Sequence, residues 1–214
     1  MKNLTANIKM DWKQLNNELG NIDLYWLDFI LKGYLPDNAK ILDAGCGEGR
    51  NLTYCLKNGM DVFGIDQNPE AIQFLKLIAK QYKVQDLDAR FQVMRLEKIL
   101  FPDATFDVII CSAVLHFAKD KEHFANMMKE LARLLKPSGK IFIRTMTDRY
   151  LPTNTKELEE GIIQFSNEQT RFVINADAFI ADLEGLNVKL MEPYKEVVVE
   201  SKHTMGTFML QKYL

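Results

Sequence analysis

Ile41-Leu42-Asp43-Ala44-Gly45-Cys46-Gly47-Glu48-Gly49-Arg50-Asn51 carries a short apolar run into three alternating glycines, after which Leu52, Cys55 and Leu56 recur at helical spacing. The order predicts a strand, a glycine turn and the start of a helix. Glycines let a backbone turn sharply and approach a ligand closely, and the free N–H groups of a helix start favour a negative group. Seventeen residues after Gly49, Asp66 ends a second apolar strand, Asp61–Asp66. A carboxylate at that place can accept hydrogen bonds from both hydroxyls of a ribose. Together the two features predict a nucleoside-bearing cofactor. The dinucleotide fingerprint G-x-G-x-x-G is not met, because the spacing here is G-x-G-x-G and Arg50 stands where the third glycine belongs. An arginine there obstructs the close helix–strand approach, which argues against NAD.

Outward from the loop, short apolar runs alternate with helical patterns. Asn58-Gly59 stops the first helix, and Pro69 suits the first turn of a second whose apolar face is Ala71, Phe74, Leu75, Ile78 and Tyr82. Residues 90–96 read as a third strand and 106–111 as a fourth, apolar enough to be covered on both faces. Phe124, Met127, Met128, Leu131, Leu134 and Leu135 form a helical stripe ended by Pro137-Ser138-Gly139, and 140–145 is a fifth strand. This alternation predicts an α/β fold, a doubly wound parallel sheet with right-handed crossovers. Before it, Asn21 is placed to cap a helix bearing Ile22, Tyr25, Trp26, Phe29 and Ile30. After it the alternation lapses over 148–175, where a helix is expected around 158–165 and the whole segment reads as a lid. A helix over 178–183 and two strands, 189–200 and 204–211, joined by a short turn and so antiparallel, complete the chain.

The 214 residues suit a single domain, with 1–36 as an N-terminal helical cover and 148–175 as a lid insertion. With 27 basic against 29 acidic side chains and a net charge of −2, the balance argues against a nucleic-acid partner. Cys46, Cys55 and Cys111, an odd number without a Cys-x-x-Cys pair, fit neither a disulfide framework nor a four-ligand zinc site. Residues 1–13 are polar and lack a signal-peptide core, and the longest uncharged run, 108–118, is too short to span a bilayer. A cytoplasmic protein with reduced thiols and no membrane partner is expected.

The stretch from Leu42 to Gly49 resembles the first motif of the class I S-adenosylmethionine-dependent methyltransferases. The resemblance continues through Val62-Phe63-Gly64-Ile65-Asp66, Phe101-Pro102-Asp103 with Phe106-Asp107-Val108, and Leu134-Leu135-Lys136-Pro137-Ser138-Gly139, in the family's order. Within that family, Gly49-Arg50-Asn51, Tyr54, Asn58-Gly59 and Asp66 with Asn68 are most similar to the tellurite-resistance methyltransferases. The family implies a Rossmann-like seven-stranded sheet of order 3-2-1-4-5-7-6 with strand 7 antiparallel, and S-adenosyl-L-methionine as cofactor. It implies that Gly45 and Gly47 line the methionine half, that Asp43 positions its ammonium, that Asp66 takes the ribose hydroxyls and that Gln67 borders the adenine. The backbone at Cys111 would accept from the adenine amino group, and the Leu96 N–H would donate to the ring. Arg50 is left between the methionine carboxylate and solvent. Many members carry Asp-Ala where this chain has Arg95 and Leu96, so either Glu97 supplies the missing acceptor or Arg95 stacks on the adenine.

His116, just past the fourth strand, is the candidate catalytic residue, either a base for a hydroxyl acceptor or a buried ring with a backbone partner beside the cofactor. Asp11, Trp12, Tyr25 and 144–150 are candidates to shape the acceptor pocket, whereas His123 and His203 read as surface residues. The expected function is methyl transfer to a small-molecule acceptor by in-line displacement. A methyltransferase acting on RNA or protein and a non-catalytic cofactor-binding subunit are the alternatives. Cys111-Ser112-Ala113-Val114, standing where amino-group enzymes carry an Asn/Asp-Pro-Pro-Tyr motif, argues against exocyclic amines as acceptors.

Overall fold

The computed structural model describes residues 11–200 and 202–213. Part of the expected N-terminal cover, residues 1–10, therefore lies outside the described residues. Seven strands follow one path: β1 (Lys40–Ala44), β2 (Asp61–Asp66), β3 (Phe91–Val93), β4 (Phe106–Ser112) and β5 (Leu135–Thr147), then β10 (Lys195–Val199) and β11 (His203–Lys212). Their order is β10-β11-β5-β4-β1-β2-β3. The first five are mutually parallel and β11 runs antiparallel to β5, with Phe208 opposite Ile143. This is the expected 3-2-1-4-5-7-6 arrangement with one difference. The single strand expected over 189–200 is two, β9 (Val188–Leu190) and β10, which pair with opposite halves of β11. Pro193 lies between them and has no N–H to give a ladder.

Successive side chains of the central strands alternate between two cores. Leu42, Ile109, Cys111, Ile141 and Ile143 face one side with α6 (Lys121–Leu134) and α7 (Ala176–Asp182). Ile41, Val108, Ile110 and Phe142 face the other with α2 (Leu24–Leu31), α3 (Thr53–Lys57) and α4 (Pro69–Gln81). Each layer buries apolar area worth roughly 25 cal/mol per Å², which ties the helices to both faces of the sheet. On α4 the buried stripe is Ala71, Ile72, Leu75 and Ala79, and Phe74 is half exposed, a shift from the face read in the sequence.

The N-terminal segment holds two helices where one was expected. Asp11 and Gln14 form a reciprocal capping box at the start of α1 (Trp12–Leu19), which Gly20 ends in the left-handed region. Asp23, not Asn21, caps α2, its Oδ1 accepting from the N–H groups of Tyr25 and Trp26. The second departure lies in 148–175. The helix expected over 158–165 is absent, and β6 (Lys156–Glu159), β7 (Ile162–Gln164) and β8 (Thr170–Phe172) form a small antiparallel sheet. Gly161, at φ +78°, makes the turn that a helix would not permit, and the β-branched pair Ile162-Ile163 pairs with Arg171 and Phe172. Two backbone bonds, Ile174 N–H to Met146 and Asp148 N–H to Ile174, fasten this sheet to the carboxyl end of β5. The helix expected over 178–183 is α7 running into a 3-10 turn, Leu183–Leu186. No helix among the described residues is long and apolar enough to cross a membrane. The three cysteines are unpaired and buried.

Candidate functional site

The glycine loop joins β1 to α3 at the carboxyl end of the sheet, where the strand order reverses and open α/β sheets bind ligands. The N–H groups of Gly45 and Cys46 both donate to the Ile65 carbonyl, at 2.8 and 2.9 Å, locking the loop onto β2. Gly45 has φ +85°, and a Cβ there would lie 2.3 Å from Val114 Cγ2. A Cβ on Gly47 would meet nothing within 4 Å, so the turn opens onto free space. Two carboxylates flank that space. Asp66 Oδ2 accepts from Gly47 N–H at 2.8 Å and its Oδ1 from Asn68 N–H at 2.9 Å, which fixes the carboxylate at the end of β2. Asp43 is buried with Oδ2 lacking any hydrogen-bond partner. Burial, opposed by the Arg50 charge and assisted by the Asp66 charge, raises its pKa from 3.8 to about 7. An orphaned carboxylate oxygen next to a glycine turn fits an incoming ammonium, and Asp66 fits a diol. The residues therefore match the donor and acceptor pattern of an amino-acid nucleoside.

A cavity of about 210 Å³ opens beside the loop, walled by Gly45, Asp66, Gln67, Leu96 and Val114 among others. Glu97 also lines it. Burial pushes the Glu97 pKa up, but a backbone hydrogen bond, His123 and Arg95 more than offset this and hold it below the usual carboxylate range. Arg95 lines it as well, its Nη1 3.6 Å from Glu97 and its side chain largely exposed, so of the two it is Glu97 that carries an acceptor. His123 is not the surface residue the sequence suggested. Its Nδ1 accepts from Lys119 N–H at 3.1 Å, which leaves the proton on Nε2, 3.3 Å from Glu97. Cys111 lies inside the sheet, paired with Ile143, and lines neither cavity of the site; the wall there is Ala113 and Val114.

Ala113 is also the wall of a second cavity of about 620 Å³, so the two spaces meet at the end of β4. Ala113 has φ +61°, a conformation that costs a non-glycine residue on the order of 1–3 kcal/mol, and its N–H is held by the Arg144 carbonyl at 2.7 Å. His116 lines the larger cavity, 6% exposed, and its Nδ1 has no partner, contrary to a ring tied to the backbone. Burial, with the charges of Arg171, His203 and Arg144, lowers its pKa to about 4, so in the free protein the ring is neutral and a weak base. His203, also read as a surface residue, lines this cavity with its ring edge-on to Phe165 at 6.5 Å. Of 144–150, Arg144 and Met146 reach the wall. Trp12 is 73% exposed and Asp11 serves as a helix cap, so neither shapes the pocket.

One hub was not foreseen. Asp23 is buried, and its Oδ2 accepts from Ser112 Oγ at 3.1 Å and Arg144 Nη1 at 3.0 Å, with Arg50 Nη2 at 3.7 Å. Its N–H donates to Asn51 Oδ1 at 3.0 Å, and Tyr25 lies under the Arg144 guanidinium at 5.5 Å. Asp23 thus ties the first helical cover to the glycine loop and to β5. Its position directly before Leu24-Tyr25-Trp26 was the available signal for the cap, but nothing local announces its ion pairs.

Residues 42–143 match a family model described as a methyltransferase domain. Over 111 residues the chain is 35% identical to the ubiquinone biosynthesis O-methyltransferase of Coxiella burnetii, covering 51% of this chain and 44% of that protein. The match thus spans less than half of that relative's length. A crystal structure of a SAM-dependent methyltransferase from Methanosarcina mazei superposes with a TM-score of 0.71 at 22% identity, covering 86% of this chain and 97% of the other. The Burkholderia thailandensis 1,6-didemethyltoxoflavin-N1-methyltransferase, solved with 1,6-didemethyltoxoflavin and S-adenosylhomocysteine, superposes with a TM-score of 0.64 at 17% identity, covering 86% and 76%. At these identities the solved structures speak for the fold alone.

Proposed function

We propose that the chain, which matches a methyltransferase domain through residues 42–143, is a class I S-adenosylmethionine-dependent methyltransferase and methylates a small-molecule acceptor. The observation that carries the proposal is the meeting of two cavities at Ala113, a narrow one beside Gly45 and Asp66 and a wider one behind His116. Behind the glycine turn Asp43 is the partner for the cofactor's ammonium, and in the narrow cavity Asp66 is the partner for its ribose and Glu97 for its adenine amino group, with the Leu96 N–H and Gln67 at the ring. Bound there, the cofactor would supply an electrophilic methyl group on a sulfonium, with S-adenosylhomocysteine as the leaving group of an in-line displacement. The protein's contribution is alignment and exclusion of water, which need no ionisable side chain. Ala113 leaves room for acceptor and methyl to meet, and the Phe165 end of the β7–β8 hairpin covers the wider space. His116 is the residue placed to accept a hydrogen bond from the acceptor, and a proton once an anion beside it raises its pKa.

The O-methyltransferase named among the relatives supports an oxygen acceptor, and the resemblance of residues 49–68 to tellurite-resistance enzymes supports a small one. The test is calorimetric titration with S-adenosylhomocysteine and NAD, followed by turnover of S-adenosylmethionine against thiols, oxyanions, phenols and carboxylates. Saturable binding of S-adenosylhomocysteine with turnover of one acceptor class is expected. Tighter binding of NAD would remove the reading.

A further inference from the structure

The wider cavity has a charge character that methyl transfer by itself does not require. Arg144, Arg171, Lys202, His116 and His203 stand in its wall, and among the described residues no carboxylate side chain does. Arg171 donates to the Thr170 carbonyl at 2.7 Å and to Gln169 Oε1 at 3.0 Å, both neutral groups of its own hairpin. Its guanidinium lies over the Phe117 ring at 4.8 Å, and Phe117 lines the narrower cavity. The cation is therefore held at the boundary of the two spaces with no carboxylate hydrogen-bonded to it among the described residues. Arg144 gives Nη1 to Asp23, and its Nε is buried without a partner. Lys202 is paired with Glu200 at the exposed rim. Met146, Met205, Phe165, Pro152 and Val199 give the wall an apolar part, and Asn154, Ser166, Asn167 and Gln169 add neutral polar groups.

Those three observations, an Arg171 without a carboxylate partner, an orphaned Arg144 Nε–H and an apolar part of the wall, select a ligand with one anionic end and a carbon body. A cavity of about 620 Å³ lies in the range that takes organic molecules of about 300–1,000 Å³. A bare inorganic oxyanion would leave the methionine and phenylalanine wall uncovered. Resting on the reading of the narrower cavity as the cofactor site, we infer that the acceptor is an organic carboxylate with an apolar body, held at its carboxylate by Arg171 and Arg144 and presenting its nucleophile towards Ala113. Guanidinium groups suit this because their planar N–H pairs match a carboxylate and stay charged at any physiological pH. Burial is the larger cause of the depressed His116 pKa, and the charges of Arg171, His203 and Arg144 lower it further.

The experiment uses the full chain saturated with S-adenosylhomocysteine, titrated calorimetrically with matched pairs: 4-hydroxybenzoate and 4-hydroxybenzamide, 3-phenylpropanoate and 3-phenylpropanamide, hexanoate and hexanamide. At least one carboxylate is expected to bind tenfold or more tightly than its amide, and more tightly than inorganic phosphate. Arg171→Gln is expected to remove that preference, and Arg171→Lys to keep most of it, with S-adenosylhomocysteine affinity unchanged in both. Equal binding within every pair, no binding of any member, phosphate exceeding every carboxylate, or a preference that survives Arg171→Gln overturns the inference while leaving the cofactor site intact. Failure of S-adenosylhomocysteine to bind the parent protein overturns both readings.

Discussion

Replacing Asp43 by Asn tests the cofactor site through its most unusual group. Asp43 is 1% exposed, and burial is the leading reason its pKa stands at about 7 instead of 3.8. A raised folded-state pKa means that the folded protein binds the proton more tightly than the unfolded chain does. Below about pH 4 both states hold the proton and the residue costs nothing. As pH rises through the window from 3.8 to about 7, the unfolded chain ionises freely while the folded protein cannot, and stability is lost. At about 1.36 kcal/mol per pH unit, this window corresponds to a full cost of about 4 kcal/mol above pH 7. Asn is nearly isosteric and does not titrate. Urea unfolding of the parent and Asp43→Asn should therefore agree near pH 4 and diverge steadily, the variant being more stable by about 4 kcal/mol at pH 8. An ammonium seated against Asp43 reverses the cause of the shift, so S-adenosylhomocysteine binding at pH 6 should release nearly one proton, and at pH 8.5 almost none. Calorimetry in two buffers of different ionisation enthalpy reads that number directly. Parallel stability curves for the two proteins, or proton release that persists in Asp43→Asn, would refute the assignment of both the pKa and the ammonium site.

Asp66→Ala should weaken S-adenosylhomocysteine binding by about 1–3 kcal/mol, the scale of hydrogen bonds to a charged acceptor, read by the same titration. Gly45→Ala combines a left-handed φ with a contact at 2.3 Å to Val114 and should cost about 2–6 kcal/mol in urea unfolding; a Val114→Ala background should return the steric part but not the backbone part. Amides of 165–169, at the hairpin end that walls the wider cavity, should exchange quickly in the free protein and slow when S-adenosylhomocysteine and an acceptor-site ligand are both bound. Equal strong protection with and without ligands would mark the hairpin as a fixed wall.

The glycine loop, the acidic end of β2 and the strand–helix alternation were legible in the sequence because each rests on local chemistry. Glycine spacing, a terminal carboxylate and a period of apolar residues need no knowledge of what lies across the fold. Asp66, Gln67 and Leu96, read from motif position for the same reason, line the narrower cavity, and Asp43, read in the same way, is buried below the glycine turn. Where a segment lacked a strong period, local reading failed. The stretch Lys156-Glu157-Leu158-Glu159-Glu160 has helix-forming composition, yet the turn at Gly161 and pairing with β7 make Lys156–Glu159 a strand. The break of the sixth strand at Pro193 likewise appears only when both halves are seen on β11.

The charge pairing around Asp23 was decided by tertiary structure alone. Asp23 meets Ser112, Arg144 and Arg50 across separations of 89, 121 and 27 residues, and no spacing rule links positions that distant. His123 and His203 carry no local sign of their place, because a cavity wall is made of residues from unrelated elements. Sequence alone determined which cofactor chemistry the loop can serve. The character of the second cavity, with its cations gathered from β5, β8 and the β10–β11 turn, came from long-range packing that brings like charges together against their own repulsion.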